Sequence, residues 1–195
     1  MMRRNNGFTL TGLIITILIM TTLSSITTPL LINSLRRQRL NNLVIELSGW
    51  LEEVSVRSEL AGSPCEVTIT TGNLAPGNEI ARVTPAACAT QIGGNVTVDE
   101  NMADFSSFSI PSFFSIKAQT YNVQIDGSEE EGKYSWFYTP RATISDSSNI
   151  EIRINLNGKV PVRCIQLSSI LGHLKQGSNN AAESANDSCN DYNSL

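Results

Sequence analysis

Four cysteines, Cys65, Cys88, Cys164 and Cys189, and a single histidine, His173, are the residues whose types could do chemistry in this chain. Thiols act as nucleophiles, metal ligands or halves of disulfides, and spacing selects among these roles. A zinc site is the rival reading, disfavoured because there is no CxxC pair and only one histidine. Any Ser-His or Cys-His nucleophile would have to use His173. That residue sits close to Lys175 near the expected end of the fold and reads as solvated surface. An even cysteine count favours structural disulfides in an exported domain. Three pairings are possible, and Cys65–Cys88 with Cys164–Cys189 is preferred because each closes a short local loop. No P-loop or dinucleotide fingerprint occurs. The run Glu129-Glu130-Glu131 follows Ile125-Asp126-Gly127-Ser128 but lacks the ligand spacing of a calcium loop. The expectation is a protein that is not an enzyme, with no catalytic residue, no metal and no cofactor.

Charge narrows the partners. The 195 residues carry a net charge of −4, distributed unevenly. Basic side chains outnumber acidic ones over residues 1–62, and the reverse holds over 63–195. The second part is therefore mildly acidic, which argues against bulk attraction to nucleic acid or anionic membrane.

The elements that must carry these residues begin with an apolar run. Nothing ionisable lies between Arg4 and Arg36. As a helix rising about 1.5 Å per residue, residues 8–35 would exceed the roughly 30 Å hydrocarbon core of a bilayer. Arg3 and Arg4 at the short end favour a cytoplasmic N-terminus, which puts residues 36–195 outside. The expected location is thus the inner membrane, crossed once. Beyond it, Leu40, Leu43, Leu47, Leu51 and Val54 recur at helical spacing, with Val44 and Trp50 beside them. Arg36, Arg37, Arg39, Glu46, Glu52, Glu53, Arg57 and Glu59 supply the polar face. Gly62-Ser63-Pro64 should end the helix, and Pro29 among weak helix formers should kink it.

After Pro64 the period changes to two. Residues 65–70, 79–83, 95–99, 121–125, 134–138, 150–156 and 162–167 read as strands. Gly72-Asn73, Gly93-Gly94, Gly127 and Asn157-Gly158 mark turns, and the last predicts a hairpin. The aromatic segment Phe105–Phe114 is expected to cover the sheet. Residues 176–195, rich in Asn, Ser and Ala, read as a flexible tail. The fold class expected is α+β: a long N-terminal transmembrane helix whose second half packs on a C-terminal antiparallel β-sheet.

Arg3-Arg4-Asn5-Asn6-Gly7 followed by Phe8-Thr9-Leu10, the apolar helix and Pro29 closely resembles the class III signal of type IV pilins and type II secretion pseudopilins. The resemblance implies cleavage by a prepilin peptidase between Gly7 and Phe8, methylation of Phe8, and assembly through the N-terminal helix with other pilins or pseudopilins. The parts would be a leader over 1–7, a transmembrane and filament-core half-helix over 8–35, an amphipathic half over 36–62, a β-rich head over 63–175 and the tail over 176–195. One position departs from the pattern: Gly12 stands where most of the family has Glu. A carboxylate in an apolar setting is costly unless paired, so this subunit offers no such charge to a partner, as a subunit at or near a filament tip could afford.

The C-terminal half is more distantly similar to the GspH/FimT group of minor pilins, through Phe137-Tyr138-Thr139-Pro140-Arg141-Ala142, Arg163-Cys164-Ile165-Gln166-Leu167 and Leu171-Gly172-His173-Leu174-Lys175. The function implied is a structural subunit of a type IV pilus or a periplasmic type II secretion-like pseudopilus. The alternative is a minor pilin that binds DNA for natural transformation. Lys175 with Arg163 and Arg141 are the candidate DNA contacts, although both arginines of that group's motif are replaced and Glu183, Asp187 and Asp191 follow.

Overall fold

A computed structural model of the chain describes residues 9–85, 88, 107–110, 120–125, 132–141, 143–146, 148–169, 172–184 and 187–194, the side chains of 23–33 and 193–194 excepted. The chain divides into two units, one ending at Arg39 and the other Leu40–Leu195.

The first unit is helical. It contains the start of α1, which runs Leu10–Ala61 and is continuous through Pro29. Thr9 starts it as a cap, its hydroxyl accepting from Gly12 N at 3.4 Å and its carbonyl from Leu13 N at 3.1 Å. Hydroxyls inside the helix bond back one turn: Thr16 to Leu13 O at 2.8 Å and Thr21 to Leu18 O at 3.0 Å.

The second unit opens with the rest of α1. Leu40, Leu43, Leu47, Leu51 and Val54 are buried, because residues three and four apart share one face of a helix. Arg57 and Glu53 pair on the opposite, wetter side. Gly62 adopts φ 61°, the left-handed conformation that ends helices, and its N–H reaches Glu59 O at 3.2 Å.

Strands make up most of the remainder. They are β1 (Cys65–Thr70), β2 (Gly72–Leu74), β3 (Glu79–Thr84), β4 (Ser107–Ser109), β5 (Tyr121–Ile125), β6 (Lys133–Tyr138), β7 (Ile150–Leu156), β8 (Lys159–Leu167), β9 (Leu174–Asn179) and β10 (Asp191–Ser194). They form two antiparallel sheets, one ordered β4-β3-β1-β6 and the other β10-β9-β8-β7-β5-β2. The expected fold class is therefore overturned. There is not one sheet on a membrane-crossing helix but a mostly β-sheet body with two sheets. Among the described residues no helix is long and apolar enough to cross a membrane, which also overturns the expected single-pass location in the inner membrane.

The division into two sheets has a local cause. Gly72, expected as a turn, takes φ 109° and carries the chain from β1 in one sheet directly into β2 in the other. Thr71 pins the crossing: its N–H donates to Gly132 O at 2.8 Å, and Gly132 N donates to its hydroxyl at 2.9 Å. The hairpin at Asn157-Gly158 forms as a two-residue turn, with φ 56° and 63° at its two positions and Leu156 opposite Lys159. Residues 95–99 lie outside the described residues, as does most of Phe105–Phe114. Of that segment, Phe108 packs against Trp50, ring centroids 6.3 Å apart, and Ile110 is buried.

One core joins the helix stripe to both sheets, through Val67, Ile69, Ile80, Trp136 and Tyr138 on one side and Val123, Ile152, Ile154, Ile165 and Leu167 on the other. Alternation along β8 then splits its residues. Arg163, Ile165 and Leu167 share one face, and Val162 and Cys164 the other. The second face carries its own small core of Val162, Cys164 and Cys189, with Ala182 and Tyr192 against it. The described residues of the expected flexible tail are therefore partly in strands: β9 continues to Asn179, and β10 pairs with it from Asp191↔Ser178 to Ser194↔Lys175.

Candidate functional site

Two disulfides close, Cys65–Cys88 and Cys164–Cys189, with Cα atoms 5.9 and 6.1 Å apart. The second holds the C-terminal segment over the outer face of the six-stranded sheet. Gly177 is needed there: a Cβ at this position would meet the Tyr192 ring at 2.6 Å and Cys189 Cβ at 2.9 Å. Glu151, buried beside this pair, accepts from Cys189 N at 3.3 Å. Glu151, Cys164 and Cys189 lie within 4.8 Å of one another, a metal-like grouping. With both sulfurs in an S–S bond, neither is a thiolate, and the cluster is structural.

The other sequence-derived candidates scatter. Gly7 and Phe8 lie outside the described residues. Arg141 is exposed in the turn after β6. His173 is exposed, and its carbonyl accepts from Ser168 N at 3.0 Å. Arg163 is buried on the helix-facing side of β8, where Nε donates to Asn41 Oδ1 at 2.6 Å and Nη1 to Val162 O at 3.0 Å. Lys175 is exposed on β9 opposite Gln166. Arg163 and Gln166 are an odd number of residues apart, so Lys175 points from the other face of the sheet. The fold does not bring Arg163 and Lys175 into one patch.

Two tyrosines near the edge of the four-stranded sheet are shifted. Partial burial pushes Tyr134 up to about 12, helped by the hydrogen bond and negative charge of Asp146. Burial raises Tyr138 further. Both stay neutral phenols at ordinary pH, which suits packing with Trp136 rather than proton transfer.

An exposed apolar surface lies in the first unit. Leu10, Leu13, Ile14, Ile15, Ile17, Leu18, Ile19 and Met20 are all exposed, from 51 to 77 %. At about 100° per residue these positions point in every direction around the helix, so there is no polar face to meet water. The hydroxyls of Thr16, Thr21 and Thr22 donate to the helix's own carbonyls, and that of Thr11 to the Thr9 hydroxyl. Sequence reading located this stretch, and the Cys164–Cys189 pairing pointed to an anchored C-terminal end; it had no signal for the Glu151 cluster or for Ala182 and Tyr192 packing on the sheet.

No family model matches the chain, and no curated protein or solved structure matches it.

Proposed function

We propose that the chain is a structural subunit, a minor pilin or pseudopilin, of a type IV pilus or type II secretion-like filament, cut after Gly7 by a prepilin peptidase and methylated on Phe8. The observation that carries this reading is the exposed, apolar-all-round start of α1 immediately after the Gly7-Phe8-Thr9-Leu10 signal. Such a surface requires apolar cover. Helices of neighbouring subunits supply it: apolar side chains interdigitate, and the self-satisfied threonines add no penalty for burial. Gly12, in place of an acidic residue, leaves this subunit without a charge to pair inside that bundle. The second unit would then be the part displayed outside the helical bundle, held rigid by its two disulfides.

The reading is tested by co-expressing the full chain with a prepilin peptidase and the major subunit of a filament, then isolating sheared filaments. The expected result is the chain in the filament fraction, lost for Ile17→Asp with the expression level kept. Incorporation of that variant at the normal level would overturn the proposal.

A further inference from the structure

Three side chains with metal-binding atoms meet on the outer face of the six-stranded sheet. Cys164 on β8 lies opposite Arg153 on β7, and Glu151, two residues before Arg153, points from the same face. Cys189 comes from the segment before β10. The two Sγ atoms and a Glu151 carboxylate oxygen lie within 4.8 Å of one another. All three residues are buried, with Cys164 0 %, Cys189 6 % and Glu151 8 % exposed. Val162, Ala182 and Tyr192 pack around the two cysteines.

The carboxylate is the part that a disulfide leaves unexplained. An S–S bond is neutral and needs no anion beside it. Among the described residues Glu151 receives one hydrogen bond, from Cys189 N at 3.3 Å, and forms no ion pair. A buried carboxylate is costly unless it is paired or holds a metal. The three groups are also gathered by more than the S–S bond. Asn179 Nδ2 donates to Ser188 O at 2.8 Å, and β10 pairs with β9 from Asp191↔Ser178 onward. Opening the disulfide therefore leaves Cys189 held beside Cys164 and Glu151.

We propose that this cluster, in its dithiol form, binds a zinc ion through Cys164 Sγ, Cys189 Sγ and one carboxylate oxygen of Glu151, with water in the fourth position. The dithiol form arises by exchange with an external dithiol. The two sulfurs of that reductant join in a new disulfide as the Cys164–Cys189 bond breaks, and its two thiol protons pass to the protein sulfurs. Zinc then displaces both protons, because the thiolate is the ligand. Two thiolates and a carboxylate suit zinc. Bonds of about 2.0–2.3 Å place tetrahedral ligand atoms about 3.3–3.8 Å apart, a small adjustment for side chains already in one cluster. The metal takes over the role of the disulfide and keeps the C-terminal segment on the sheet where the S–S bond is reduced. The site lies in the second unit and stands whether or not the chain enters a filament.

The test compares the purified full-length chain in its oxidised form and after reduction, with zinc and with cobalt(II) as a spectroscopic stand-in for zinc. The reduced chain should take up cobalt with a thiolate-to-metal charge-transfer band, and zinc should displace it. Zinc should raise the thermal midpoint of the reduced chain and leave that of the oxidised chain unchanged. Glu151→Gln keeps the size of the side chain and should weaken cobalt binding by about tenfold or more. Absence of the band from the reduced native chain, or a midpoint that zinc does not raise, would overturn the proposal, and these two results need no variant. Cobalt binding unchanged in Glu151→Gln would overturn it as well.

Discussion

α1 puts the same residue types to two opposite uses. In the first unit Leu13 is 51 % and Ile17 55 % exposed, whereas in the second Leu40 and Leu47 are fully buried. Helical propensity does not distinguish these stretches, and neither does side-chain chemistry. What differs is pattern. From Leu40 onward most apolar residues keep to one stripe, with Ile45, Val56 and Leu60 exposed off it beside Glu46, Glu52, Glu53 and Glu59, so one face can be covered by this chain's own sheets. From Leu10 to Met20 they point all ways, and the described residues of this chain leave them exposed. The second unit carries its own core; the described start of the first carries apolar side chains that stay exposed.

The most severe way to break this contrast is to hollow the second unit. Leu47→Ala should cost about 2–5 kcal/mol of unfolding free energy, whereas Ile17→Ala should change it by less than about 0.5 kcal/mol, both read by urea titration. Equal effects would mean that the first unit also folds against something in the chain. Next, replacing both Cys164 and Cys189 by Ser releases a loop with a sequence separation of 25 residues. The loss expected from loop entropy is about 3.5 kcal/mol, visible as a lower thermal midpoint. Gly177→Ala would press on Tyr192 and Cys189 and should cost about 1–3 kcal/mol, relieved when Tyr192→Ala is added.

The smallest effect is electrostatic. The Tyr134 phenol ionises at about 12 in the folded chain, above its ordinary 10.0. Its contribution is fully present below pH 10 and is lost as pH rises from 10 toward 12. Tyr134→Phe should therefore flatten part of the alkaline fall in stability measured by chemical denaturation across that range.

Local features were readable in the sequence. The alternation of Cys65–Thr70 and Ile150–Leu156, the Asn157-Gly158 turn and the Gly62 helix end depend on neighbouring residues only. Short loops favoured both cysteine pairs, and the second pair also offered to tie down the end of the chain. The split into two sheets was hidden, because alternation marks a strand without naming its partner, and the switch rests on one glycine at φ 109°. The end of the chain was misleading for another reason. Its Asn- and Ser-rich composition resembles a free tail, yet Cys189 and the close approach of Tyr192 to Gly177 hold it on the sheet. The membrane-crossing expectation followed from counting uncharged residues over 8–35, which the described helix does not support. The closeness of Glu151 to Cys164 and Cys189 could not be found in sequence at all, since strand register creates it.

The proposed function requires that the first unit be matured after Gly7 and assembled as a pilin-like helix. Intact mass with N-terminal sequencing of the protein recovered from its native cells tests it most directly. The account predicts a chain that begins at a methylated Phe8, with residues 1–7 removed. A chain that still begins at Met1, or one cut beyond residue 20, would contradict it.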